Sequence, residues 1–186
     1  MNEKLNIDKT WTLFLDRDGV INEKRENDYV KNWGEFSFTN GALVAISRLS
    51  NIFGKIIVVT NQRGVGKGIM TEIQLIFIHY NLTKAVNQSG GRIDKIFYCT
   101  DLLDTSEDRK PNIGMAVKAK MYFPEIDFTK SIMIGDSKSD MEFGKRLRMY
   151  TMYISKLELE VELFKLVDYK CDSLFHATKY LTNSYL

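Results

Sequence analysis

Apolar and polar positions along the chain fall into two alternating signatures. Residues 12–15, 55–60, 131–135 and 150–154 are short runs with almost no polar interruption, and a fifth run covers 93–99. Runs of that length, β-branched at 55–60, predict strands buried on both faces of a parallel sheet. Between them the spacing turns helical. Leu43, Ile46, Leu49 and Ile52 or Phe53 repeat at three and four residues, predicting a helix over 42–53. A second helix is expected to open at Thr71 and Glu72, with Ile73, Ile76, Phe77, Tyr80 and Leu82 as its apolar side. Further helices are predicted over about 113–122 and 138–147.

Two stretches resist this reading. Residues 17–41 read as a long polar loop. Residues 157–167 fit either strand alternation or a short amphipathic helix, and a closing helix is expected over 173–181. The strand–helix alternation implies an α/β fold, a central parallel sheet between two helix layers with right-handed crossovers.

With 186 residues the chain can bury one sizeable core, so a single domain over 1–186 is expected. An apolar fraction of 44% and a charged fraction of 27% are those of a globular protein. Lys plus Arg number 26 against 24 Asp plus Glu, a net charge of +2. That balance supplies no broad field for nucleic acid or membrane, so an anion must be bound locally. The polar start and the lack of a ~20-residue apolar run point to the cytoplasm. The chain is expected to act as a monomer. Cys99 and Cys171 lack any metal-ligand spacing and are expected to be free, buried thiols. His79, flanked by Ile78 and Tyr80, and His176 read as structural.

In parallel sheets ligands bind beyond the carboxyl ends of the strands. The residues in that position are Asp16 to Gly19, Thr60 to Gly64, Cys99 to Asp101 and Gly135 to Ser137. Asp16, Asp18 and Asp136, brought together, would repel one another unless a hard cation neutralised them, and an all-oxygen set points to Mg²⁺. A carboxylate in such a site can attack a phosphoryl group, and a second carboxylate two residues on can serve the leaving oxygen as acid and the attacking water as base. Asp-Gly after a strand is also a common turn, and Asp136 could cap the following helix. The Thr60 hydroxyl and the Asn61 N–H are candidates to hold phosphate oxygens, with Gly64, Gly66 and Gly68 giving the backbone room for close approach. The string GVGKG at 64–68 fails the P-loop pattern at Asn61 and again at Gly68. Lys110 offers a point charge, and Arg109 a bidentate grip on an anion.

FLDRDGVIN at 14–22, TNQRGVGKG at 60–68, RKPNIGM at 109–115 and IGDSKSD at 134–140 resemble, in order and spacing, the four signature motifs of the haloacid dehalogenase superfamily. The likeness runs from about residue 11 to 148. It is strongest toward subfamily IIIA, the branch of small, nearly capless phosphatases acting on heptose bisphosphate and histidinol phosphate.

The resemblance implies a Rossmann-like three-layer sandwich with minimal or no cap. It implies Asp16 as nucleophile, Asp18 as general acid/base and Lys110 as stabiliser of an aspartyl-phosphate intermediate. Thr60, Asn61, Gln62, Arg63 and Arg109 would bind substrate. Mg²⁺ would be held by Asp16, the Asp18 carbonyl and Asp136, with Asp140 supporting the loop. Lys24, Arg25 and Tyr29 would lie near the site. The branch's zinc loop of one His and three Cys is reduced here to Cys99, so structural zinc is not expected. The implied substrate is a small sugar phosphate. A polynucleotide 3′-phosphatase shares the TNQ style of loop, and a catalytically silent binding protein is the alternative of a different class.

Overall fold

A computed structural model describes residues 5–182; residues 1–4 and 183–186, the last of them part of the 156–186 tail, lie outside the described residues. The strands are β1 (Thr12–Leu15), β2 (Lys55–Asn61), β3 (Lys95–Cys99), β4 (Ser131–Gly135), β5 (Tyr150–Ile154) and β6 (Tyr169–Cys171). All pair parallel in the order β3-β2-β1-β4-β5-β6. The helices are α1 (Ala42–Ile52), α2 (Arg63–Gly66), α3 (Glu72–Gln88), α4 (Gly114–Tyr122), α5 (Lys138–Arg146) and α6 (Leu174–Thr182).

Successive side chains of a strand point to opposite faces, and both faces here are covered. Leu13, Leu15, Ile56, Val58, Ile132 and Ile134 face the layer that contains α1, α3 and α6. Phe14, Ile57, Val59 and Met133 face α4 and α5 through Met115, Ala116, Ala119 and Phe143. Four consecutive buried residues in β1 therefore serve two cores, which is why the strand shows no polar alternation. This is the three-layer arrangement expected. The sheet order reverses direction between β1 and β4, and their carboxyl ends frame a crevice of the kind in which such sheets bind ligands.

The structure corrects the sequence reading at four places. First, α3 buries Leu75, Ile78, His79, Leu82 and Val86. Ile73, Ile76, Phe77 and Tyr80, expected inside, are exposed by 79%, 51%, 57% and 62%. Secondly, residues 157–167 are neither strand nor amphipathic helix but irregular chain with a 3-10 turn at Val161–Leu163. Thirdly, the three-residue β6 was not expected; it adds to the β5 edge. Fourthly, the segment 17–41 is more than a polar loop. It carries a 3-10 turn at Trp33–Glu35, and Val20, Ile21, Val30 and Phe36 from it are buried in the core. Trp33, Phe36 and Phe38 pack ring on ring, with centroids 4.8 and 5.1 Å apart between successive members. Among the described residues, no helix is long and apolar enough to cross a membrane.

Candidate active site

Asp16 follows β1 directly, and its N–H donates to the Ile134 carbonyl at the end of β4, which locks the two strand ends together. Asp136 follows β4. Oxygen atoms of Asp16, Asp136 and Asp140 lie within 4.8 Å of one another. Gly19 makes this possible. Its φ is +87°, and a Cβ there would sit 2.2 Å from Asp136 Oδ2, so no other residue fits between the two loops.

Lys110 reaches the cluster from the loop before α4 and is 3% exposed. Its Nζ donates to Asp16 Oδ1 at 2.7 Å, to Asp140 Oδ1 at 2.5 Å and to the Val59 carbonyl at 2.7 Å. The other Asp140 oxygen accepts from the Ser137 N–H and hydroxyl as the capping box of α5. Asp140 is thus fully committed to Lys110 and to the loop, whereas Asp16 Oδ2 has no hydrogen-bond partner among the described residues. The Lys110 loop is anchored by reciprocal bonds to one side chain: Asn61 Nδ2 donates to the Lys110 carbonyl, and the Lys110 N–H donates to Asn61 Oδ1, at 3.1 and 3.0 Å.

The Asp18 carboxylate lines the same cleft but stands outside the close group of three and has its own partners. Arg17 Nη2 donates to both its oxygens at 2.9 Å, Asn22 Nδ2 donates to Oδ1 at 2.8 Å and Gln62 Nε2 to Oδ2 at 2.8 Å. Gln62 Nε2 also contacts the Thr60 hydroxyl oxygen at 2.8 Å. Burial pushes the Asp18 pKa up, but the Arg17 charge and these hydrogen bonds outweigh it, so the net position is below the usual carboxylate value. Asp16 goes the other way: burial, with repulsion from Asp140, Asp136 and Asp18, lifts it to about 7 despite Lys110. Asp136 is likewise raised, by burial and then by Asp140.

The donor set fits a hard divalent cation. It is all oxygen, it is buried, and two of its carboxylates are pushed toward protonation for want of positive charge. An ammonium group already answers that need in part: Lys24 Nζ, from the segment after β1, stands 2.7 Å from Asp136 Oδ2. The group that fits is Mg²⁺, and Asp16, through its unbonded Oδ2, and Asp136 are the side chains that could hold it.

A cleft of about 180 Å³ opens above these groups, lined by Asp16, Asp18, Lys24, Tyr29, Thr60 and Lys110 among others. Asn61, Asp136, Asp140 and Arg25 also reach it. Gln62 supports Asp18 from beneath, and Arg63 and Arg109 point elsewhere. Arg63 Nη2 donates to the Leu102 carbonyl, and Arg109 Nε donates to Asp104 Oδ1 at 2.9 Å. Gly66, expected to approach phosphate, instead admits the neighbouring loop: a Cβ there would lie 2.2 Å from the Thr100 carbonyl oxygen. Ser137, expected there as a strand-end residue, lines the cleft, as do Ser139 and Asp28, which the sequence pattern did not announce. The support that Arg17 gives Asp18 was not announced either; its only sequence signal was a cation between two acids.

Comparison with known proteins agrees with this geometry. Residues 11–169 match the family model described as polynucleotide kinase 3 phosphatase. A D-glycero-alpha-D-manno-heptose-1,7-bisphosphate 7-phosphatase of Mycobacterium bovis is 39% identical over 135 residues, 72% of this chain and 71% of that one. A D-glycero-beta-D-manno-heptose-1,7-bisphosphate 7-phosphatase of Photorhabdus laumondii is 34% identical over 138 residues, 70% of this chain and 72% of that one. The crystal structure of the D,D-heptose 1,7-bisphosphate phosphatase from B. bronchiseptica, complexed with magnesium and phosphate, superposes with a TM-score of 0.80 at 25% identity. The match covers 93% of this chain and 98% of that one.

Proposed function

Because the chain belongs to the haloacid dehalogenase superfamily, within the family described as polynucleotide kinase 3 phosphatase, we propose that it hydrolyses a sugar phosphomonoester through an aspartyl-phosphate on Asp16. It is a Mg²⁺-dependent phosphatase, and its substrate is D-glycero-D-manno-heptose 1,7-bisphosphate, cleaved at the 7-phosphate. The observation that carries the reading is the convergence of Asp16, Asp136 and Asp140 at the β1–β4 crevice, with the ammonium of Lys110 on Asp16 and Asp140. The names of the relatives carry the substrate.

Asp16 Oδ1 is held by Lys110, which leaves Oδ2 to attack phosphorus. The Thr60 hydroxyl, itself 1% exposed and fixed by Gln62, steadies a phosphate oxygen at the cleft floor. Asp18 is ionised in the free site and takes up a proton before the first turnover; it gives that proton to the leaving oxygen as the bond to phosphorus breaks, and recovers one from the water that releases phosphate from Asp16. Lys110 stays protonated throughout, since the Asp140 and Asp16 carboxylates more than offset its burial and raise its pKa. Asp16, the Asp18 carbonyl and Asp136 would hold Mg²⁺, which when bound would neutralise charge on the phosphoryl group. Arg109 and Arg63 serve as substrate ligands by leaving their present partners.

In this reading the whole chain works as one domain in the cytoplasm, a compartment in which the free buried thiols of Cys99 and Cys171 persist. The family description supports one other substrate, a 3′-phosphorylated polynucleotide, but a net charge of +2 supplies no basic stripe for it. The test is phosphate release from both anomers of the heptose bisphosphate, histidinol phosphate and a 3′-phosphorylated oligonucleotide, with and without Mg²⁺. Asp16→Asn is expected to abolish turnover while leaving the circular dichroism spectrum unchanged. Wild-type rates in that variant would refute the mechanism, and preference for the oligonucleotide would refute the substrate.

A further inference from the structure

Arg17 is 1% exposed, yet it carries a full charge and lies outside the carboxylate cluster. Its Nη2 is spent on both oxygens of Asp18. Its Nη1 lies 3.1 Å from Nε2 of His79, 62 residues away on the buried face of α3, and its Nε has no partner. Arginine can only donate, so Nε2 of His79 must be the acceptor, and the imidazole carries its proton on Nδ1. We propose that His79 is a positioning residue for the acid/base step: its Nε2 lone pair orients the guanidinium of Arg17, and Arg17 thereby fixes the Asp18 carboxyl group at the wall of the cleft. The proposal rests on the phosphatase reading above.

Three observations support it. His79 is itself fixed, 7% exposed with its ring centroid 5.5 Å from that of Tyr98, so the acceptor cannot wander. Burial and the Arg17 charge hold the imidazole neutral, with its pKa pushed down to about 3, so the lone pair is available throughout the working pH range. The choice of residue is also chemically selective. A carboxylate in place of His79 would compete with Asp18 for the guanidinium, and a cation would repel it; a neutral acceptor orients Arg17 without drawing it away.

The step concerned has a defined balance. An Asp16 oxygen bonds to phosphorus while the phosphorus–oxygen bond to the leaving group breaks, and the departing oxygen keeps the electron pair and takes from Asp18 the proton that the water of the preceding turnover left there. A misdirected Asp18 therefore penalises poor leaving groups, such as a sugar hydroxyl, far more than p-nitrophenolate, which departs without a proton.

The experiment measures kcat/KM of the Mg²⁺-loaded protein for heptose 1,7-bisphosphate and for p-nitrophenyl phosphate. His79→Leu is expected to lower the sugar value by on the order of 30-fold and the aryl value by less than about 3-fold. His79→Gln, whose Oε1 can accept from Arg17, is expected to recover the sugar value to within about 3-fold of wild type. Equal losses on both substrates, or no recovery with Gln, would overturn the proposal. If His79→Leu does not melt cooperatively, the pair Arg17→Met with His79→Leu removes the buried charge together with its acceptor. That double variant must show the same selective loss, and wild-type sugar hydrolysis in it would also overturn the proposal. A wild-type protein inactive on both substrates would bring down the phosphatase reading itself, an outcome distinct from even losses in an active enzyme.

Discussion

Gly19 illustrates how a single hydrogen atom can decide a site. An alanine methyl would meet Asp136 Oδ2 and adopt an unfavourable φ of +87° as well. Gly19→Ala is expected to weaken Mg²⁺ binding by about tenfold or more in titration calorimetry, the range typical of disturbed metal-site support. His79 permits a pH prediction. Its pKa is about 3 folded against 6.5 unfolded, so between those values the unfolded chain binds a proton that the folded chain refuses. Stability from this group is therefore complete above pH 6.5 and is lost as pH falls toward 3, by on the order of 5 kcal/mol at the limit. Denaturant melts at pH 7 and pH 4.5 should show that His79→Gln loses less stability on acidification than wild type does. Asp16, Asp18 and Asp136 were legible because charge directly after an apolar strand breaks the local pattern. Arg17 and His79 were not legible as partners, since a contact across 62 residues leaves no local trace.

Helix α3 shows where periodicity stops informing. Leu75, Ile78, Leu82 and Val86 make one apolar side, while Ile73, Ile76, Phe77 and Tyr80 make another of equal apparent strength. Only the packing against α1 and the Trp33–Glu35 turn selects the first, and no local rule encodes that choice. The consequence is measurable: Leu82→Ala should cost about 2–5 kcal/mol in urea melts, whereas Phe77→Ser should change stability by less than about 0.5 kcal/mol. The start of the helix was legible at Thr71. Its side chain accepts from the Gln74 N–H, while Gln74 Oε1 accepts from the Thr71 N–H. Thr71→Ala should cost about 1 kcal/mol. Strand β6 escaped notice because three residues, Tyr169 to Cys171, are too few to establish an alternation.

At the scale of the molecule, the order of elements followed from the succession of strand and helix patterns, whereas the strand order β3-β2-β1-β4-β5-β6 rests on long-range pairing. That order is what sets Asp16 beside Asp136, from segments 120 residues apart in sequence. A ligand that binds only the folded chain stabilises it, by about 2.7 kcal/mol at a hundredfold excess over Kd. Mg²⁺ should therefore raise the melting temperature of the wild-type protein and leave Asp136→Asn nearly unmoved, as read by differential scanning calorimetry.

The loop at 99–108 has its own arrangement. The Ser106 hydroxyl donates to Asp101 Oδ2 at 2.5 Å, Asn112 Nδ2 donates to the Asp104 and Ser106 carbonyls at 2.9 and 2.8 Å, and Arg109 closes on Asp104. Side-chain amides and hydroxyls neither oxidise nor surrender to thiol reagents. The shape of this loop thus depends on hydrogen bonds that a denaturant would loosen first.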